Sequence, residues 1–113
     1  MSVKTERIAS NIVKEISYVL AYEVKDSDIK FVTVTDCKLT TDLSYAKIYV
    51  TVLDESKKES TMEALEDARG FIRRELADRI DIRHVPELEF VYDESIEYGK
   101  KIEDIIEKIH EEE

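Results

Sequence analysis

Cysteine is almost missing from this chain of 113 residues, and the single thiol, Cys37, excludes an internal disulfide. One cysteine fits a reducing compartment. Glycine occurs twice, proline and asparagine once each, and glutamine never. Together with abundant Glu and Lys, that composition leans toward a thermophilic source. No apolar run approaches the roughly 20 residues a membrane span needs, and the opening MSVKTERIAS lacks the apolar core of a secretory signal. The expected compartment is the cytoplasm, with no membrane partner. The chain also has no Gly-rich phosphate loop and no nucleophile elbow. Cys37 has no base beside it in sequence, and His84 and His110 lack metal-ligand spacing. Glu103 and Glu107 share a helix face, but solvated carboxylates explain them. Neither an enzyme nor a cofactor, metal or small-molecule substrate is expected.

What is present is enough for one core. Hydrophobic residues make up 42% of the chain, with clear periodicity, so it should fold as one domain over residues 1–113, with monomer the default. The net charge of −10 argues against a nucleic-acid partner until its distribution is followed. Residues 1–50 balance, with seven basic and seven acidic side chains. Residues 68–86 carry five arginines against three acids, a local +2. Residues 87–113 carry eleven acids against three lysines, a local −8. The molecule should be bipolar.

Ile8, Ile12, Ile16, Val19 and Leu20 form one apolar stripe, which predicts a first helix over 4–23, capped by Ser2 or Thr5. Asp26-Ser27-Asp28 turns the chain. Two alternating segments, 30–39 and 44–53, predict an antiparallel hairpin joined by Thr40-Thr41-Asp42-Leu43. Tyr45, Lys47 and Tyr49 should line the face away from the helices. Ser56 or Ser60 is available to cap the next helix. From Glu59 to Pro86 the pattern reads as helix, break and helix: Met62, Leu65 and Ala68 precede Gly70, and Phe71, Ile72, Leu76 and Ile80 follow it. A glycine inside a helical pattern costs roughly 1 kcal/mol relative to alanine, so a bend or a close backbone approach is expected at Ala68–Gly70. Pro86 directs the chain into a third strand, 87–93, with Leu88, Phe90 and Tyr92 inward. A terminal helix over about 94–110 carries Ile102, Ile105, Ile106 and Ile109. The expected fold class is α+β, in the order α-β-β-α-α-β with a trailing helix and three strands covered on one face.

That order is the one found in type II KH domains, and two segments make the likeness more specific. VTVTDCKLTTDLSYAKIYVTVL, residues 32–53, resembles the first two strands of the ribosome-binding factor A family. ARGFIRRELADRIDIRHVPELEFVYDESIEYGKKIEDII, residues 68–106, resembles its second half, with the Ala-x-Gly break, the VPEL-F-YD segment and a glycine before the last helix. The resemblance runs from Arg7 to about Ile109. It implies a KH-like fold in which Ala68 and Gly70 form a kink in place of the Gly-x-x-Gly phosphate clamp. It also implies a non-enzymatic factor that binds the immature small ribosomal subunit, assists late maturation of its RNA and is linked to growth in the cold. One departure is Asp26-Ser27-Asp28, where family members commonly carry Asp-Pro-Arg, which removes a positive charge from that turn.

Under this resemblance Arg69, Gly70, Arg73, Arg74, Arg83 and His84 are the candidate RNA-binding residues, because the corresponding helices form part of the binding side of KH folds. Structural roles stand beside each. Arg74 can pair with Asp78, and Glu75 with Arg79, at helical spacing. His84 can be a surface or capping residue. Tyr45, Lys47 and Tyr49 can stack on bases or pack across strands. Lys4, Arg7, Lys14 and Lys38 would extend the basic side. The alternative function is a KH-like protein-interaction module without RNA affinity, for which the net −10 speaks.

Overall fold

The structure, a computed structural model, describes residues 3–29 and 31–95. Helix α1 spans Val3–Tyr18 and continues into a π-helical turn, Val19–Glu23, closed by Val24 N–H donating to the Val19 carbonyl at 3.1 Å. Its inward stripe is as expected: Ile12, Ile16 and Val19 are fully buried. Thr5 lies inside the helix and is buried, so it is not the cap. A 3-10 turn, Ser27–Ile29, follows. The strands are β1 (Val32–Leu39), β2 (Tyr45–Val52) and β3 (Glu87–Tyr92).

β1 and β2 pair antiparallel, and β2 and β3 pair parallel, giving the order β1-β2-β3. A parallel pair needs a crossover of a dozen or more residues, and helix α2 (Lys58–Arg79) supplies it. In β1 the register passes from Val34↔Val50 to Asp36↔Tyr49, leaving Thr35 as an extra residue. That bulge lets Val34, Cys37 and Leu39 all face the helices, which strict alternation would forbid. Thr35 uses its hydroxyl to donate to Asp93 Oδ2 at 2.6 Å, tying the end of β3 across the sheet. In the hairpin, Leu43 adopts a left-handed φ of 62°. The Thr40 hydroxyl steadies it by accepting from the Ser44 and Tyr45 N–H groups, each at 3.1 Å.

The core fills the space between the sheet and the two helices. Ala46, Ile48 and Val50 of β2 meet Ile12 and Ile16 of α1 and Leu65, Ile72 and Leu76 of α2, all with no exposure. Burial of each large aliphatic side chain contributes roughly 1.5–3 kcal/mol. Tyr45 and Lys47 are exposed on the opposite sheet face, as expected, and Lys38 sits over the half-buried Tyr49 ring at 5.4 Å. Tyr92 is only half-buried, with Lys58 Nζ 4.1 Å from its ring centroid.

Two further expectations are corrected. The helix–break–helix is one element: α2 runs for 22 residues through Ala68, Arg69 and Gly70. Gly70 keeps a helical backbone with no positive φ, and a Cβ built there would meet nothing within 4 Å. Helical hydrogen bonding offsets the propensity cost of one glycine when the flanking turns are anchored by Leu65 and Ile72. The cap is also different. Lys57 precedes α2 without a side-chain cap bond, while Asp54 caps the short 3-10 turn Glu55–Lys57 by accepting from Ser56 N–H at 3.0 Å. Ser60 donates back to the Lys57 carbonyl at 3.1 Å instead. The helix expected over 94–110, with its isoleucine stripe and the acidic end, lies outside the described residues apart from Glu94 and Ser95.

Candidate nucleic-acid interface

α2 divides its surface between two stripes. Thr61, Leu65, Ile72 and Leu76 turn inward. Glu66, Arg69, Gly70, Arg73, Arg74 and Ala77 recur at three- and one-residue steps, which places them along a single outer face. After Arg79 the chain turns at Ile80 and runs back as Arg83, His84, Val85 and Pro86 before β3 begins. That loop folds against the outer face of α2, and the two enclose an open groove of about 550 Å³.

All six residues singled out from the sequence line this groove: Arg69, Gly70, Arg73, Arg74, Arg83 and His84. The remaining lining is Glu66, Ala77, Val85 and Glu87. Four guanidinium groups therefore face two carboxylates, a local +2 in a strongly acidic chain.

The arginines are not equivalent. Arg73 donates from Nη2 to the Val85 carbonyl at 2.7 Å and from Nε to the Pro86 carbonyl at 3.1 Å. Its Nη2 also lies 3.6 Å from Glu87 Oε1. Arg73 is the clamp that seats the loop on the helix, so its first role is to build the groove. Arg69 is held by Glu66 at 2.7 Å but keeps 47% of its side chain exposed. Arg74, Arg83 and His84 are exposed and make no hydrogen bond or ion pair among the described residues. The Arg74–Asp78 pair that the spacing permits is not formed. Gly70 leaves the middle of the groove wall without a side chain, with open space beside it.

Arg79 belongs elsewhere. It points to the α1 side, within 3.4 Å of Glu23, 3.7 Å of Glu75 and 3.9 Å of Glu15, with its guanidinium 4.6 Å from the Tyr18 ring centroid. The Glu75 contact is the one expected from spacing. The contacts to Glu15 and Glu23 cross to another element, and no local pattern announces them.

Cys37 offers no chemistry in this arrangement. It is buried under the sheet, burial pushes its thiol up to about 12, and the neighbouring Asp36 carboxylate adds in the same direction. A thiol so far from its thiolate is a poor nucleophile and metal ligand. Among the described residues no group of His, Cys, Asp and Glu could hold a metal ion, and no helix is long and apolar enough to cross a membrane.

A family model described as ribosome-binding factor A matches residues 4–106. A Macrococcus caseolyticus protein named ribosome-binding factor A is 47% identical over 111 residues, covering 97% of this chain and 97% of the relative. One of the same name from Staphylococcus carnosus is 48% identical over 108 residues, 95% and 94% of the two chains. Among solved structures, the crystal structure of ribosome-binding factor A from Thermus thermophilus superposes with a TM-score of 0.71 at 24% identity, over 78% of this chain and 94% of that one. Coordinates of the same Thermus factor fitted into a cryo-electron microscopy map of a 30S complex give a TM-score of 0.62 at 24% identity, over 84% and 97%. These two structural likenesses concern the fold.

Proposed function

The chain belongs to the ribosome-binding factor A family, and from that premise we propose that it binds the immature small ribosomal subunit through the groove between α2 and the 80–86 loop. In this reading it contacts ribosomal RNA, assists late maturation of that RNA, and is linked to growth in the cold. It works in the cytoplasm as a monomeric single domain. There is no chemical step. Arg74 and Arg83 supply phosphate attraction, His84 adds a donor, Arg69 contributes when phosphate competes with Glu66, and Gly70 lets the RNA backbone approach the helix. Binding energy spent on one RNA conformation shifts the population toward it.

The observation that carries the reading is the convergence of all six candidate residues on one open groove with excess positive charge. Because counterions are released for each phosphate neutralised, affinity should fall with salt. The test is co-sedimentation with purified immature small subunits at two salt concentrations, comparing the wild-type chain with Arg74→Glu/Arg83→Glu. Both residues are exposed and unengaged among the described residues, so the variant should keep its melting temperature. Salt-sensitive binding that falls by at least about tenfold in the variant is expected. Full binding by the variant would move the interface off the groove, and no binding by folded wild type would sink the function.

A second reading, a KH-like protein-interaction module without RNA affinity, draws on Glu66 and Glu87, which neutralise two of the four groove arginines. It predicts binding without salt dependence and no response to reversing Arg74 and Arg83.

A further inference from the structure

At the far end of the sheet from the hairpin, two large apolar side chains stand in solvent. Phe31 is 62% exposed and Leu53 79% exposed. Exposed apolar residues scattered singly need no explanation. These two are adjacent: Leu53 N–H donates to the Phe31 carbonyl at 3.3 Å, extending the β1–β2 ladder by one step. The tyrosines that are also exposed differ in kind, since each carries a hydroxyl.

Phe31 and Leu53 border a recess of about 240 Å³, lined also by Val52, Asp28, Asp54 and Lys57. Its walls are fixed before anything binds. The 3-10 turn at Ser27–Ile29 is tied to α2 by Thr61 Oγ1 donating to the Asp28 carbonyl at 2.9 Å, and Asp26 Oδ1 accepts from Asp28 N–H at 2.9 Å. On the other side Asp54 accepts from Ser56 N–H and from its hydroxyl at 2.7 Å. A preformed recess saves a partner the cost of ordering it.

We propose that this recess is a docking site for a protein segment that presents one large apolar side chain beside lysine or arginine. The recess, at about 240 Å³, falls below the roughly 300–1,000 Å³ of drug-sized ligand sites and matches the size of a single large side chain. Charge chooses the partner. Two carboxylates, Asp28 and Asp54, face one ammonium, Lys57, and the Ser56 bonds hold the Asp54 carboxyl below the usual carboxylate range. An RNA backbone is repelled here, and a basic segment is attracted. Basic arms are what proteins seated on nucleic acid extend. The recess flanks the first turn of α2, while the groove occupies its later turns, so both sites can be filled at once. The recess stands whether or not the groove takes RNA.

The test follows amide resonances of Leu53, Asp54 and Thr61 in the isotope-labelled full chain during titration with three synthetic peptides. The first is Arg-Lys-Phe-Leu-Lys-Arg, the second replaces its Phe and Leu by Ser, and the third replaces its basic residues by Glu. The first peptide should shift these resonances saturably and leave those of Arg74, Arg83 and His84 in place. Leu53→Ser, an exposed change that should not alter the melting temperature, should weaken the effect about tenfold. No response to the first peptide overturns the proposal, as does an equal response to either control. Shifts that appear with protein concentration alone would assign the recess to a second copy of the chain. Shifts produced by an RNA oligomer would assign it to nucleic acid, and either result refutes the protein segment.

Discussion

Arg79 and Arg74 sit on the same helix, carry the same charge and meet opposite surroundings. Arg79 is only 25% exposed and lies among Glu15, Glu23 and Glu75 with Tyr18 against its face. Its Nε is buried with no acceptor among the described residues. Arg74 is exposed on the groove side with no carboxylate in reach among the described residues. Arg73 falls between them, half-buried and bonded to two backbone carbonyls. The difference is angular. Successive residues turn by roughly 100° around a helix of 3.6 residues per turn, so arginines close in sequence are dealt to separate faces. A cluster of like residues in a sequence is thus sorted by the helix into some that build and some that remain available. Here Arg79 joins α2 to α1, Arg73 joins α2 to the strand entry, and Arg74 and Arg83 stay exposed and unengaged among the described residues.

The sharpest way to break this division is Arg79→Ala. It leaves three carboxylates close together without their shared cation and uncovers the Tyr18 ring. Surface pairs contribute about 0–1 kcal/mol, and breaking a buried pair costs about 3–5 kcal/mol. At 25% exposure an intermediate loss of about 2 kcal/mol in urea denaturation is expected, with RNA binding by the remaining folded protein unchanged. Arg73→Ala should cost less, about 1 kcal/mol, because hydrogen bonds from a charged donor are worth more than neutral ones but this side chain is 41% exposed. It should also weaken binding, since the loop bearing Arg83 and His84 loses its clamp. The pair of variants separates the two kinds of arginine: a binding loss in Arg79→Ala, or none in Arg73→Ala, would erase the distinction.

Much of this was legible in the sequence, for identifiable reasons. Periodicity located α1, all three strands and the inward stripe of α2, because burial imposes its period directly on residues such as Ile12, Ile16, Leu65 and Ile72. The 66-69-70-73-74-77 spacing by itself puts most of the groove-lining residues of α2 on one face. What was hidden depends on distant partners. The carbonyls of Val85 and Pro86 that occupy Arg73, and the contacts of Arg79 with Glu15 and Glu23, link segments far apart in the chain. The bulge at Thr35 was hidden because its cause is cross-strand, a register shift that brings Cys37 inward. The break expected at Gly70 is absent because α2 keeps its helical course through that residue: glycine permits a break but does not compel one.

Gly70 therefore gives the smallest effect and the most discriminating one. Its backbone is helical, and the space where a Cβ would sit is empty. Alanine there removes the conformational freedom glycine gains on unfolding, so Gly70→Ala should stabilise the protein by about 0.5–1 kcal/mol. If the missing side chain serves only the fold, the more stable variant should bind immature small subunits as well as wild type. If it leaves room for an RNA backbone against α2, the same variant should bind a few-fold more weakly, because the added methyl occupies the open wall between Arg69 and Arg73. The second outcome is expected. Stability and binding moving in opposite directions is what a residue held for its partner should show, since a residue held for the fold would move both together or leave binding untouched. A variant that gains stability and keeps full affinity would leave the arginines as the groove's whole contribution and remove Gly70 from the interface.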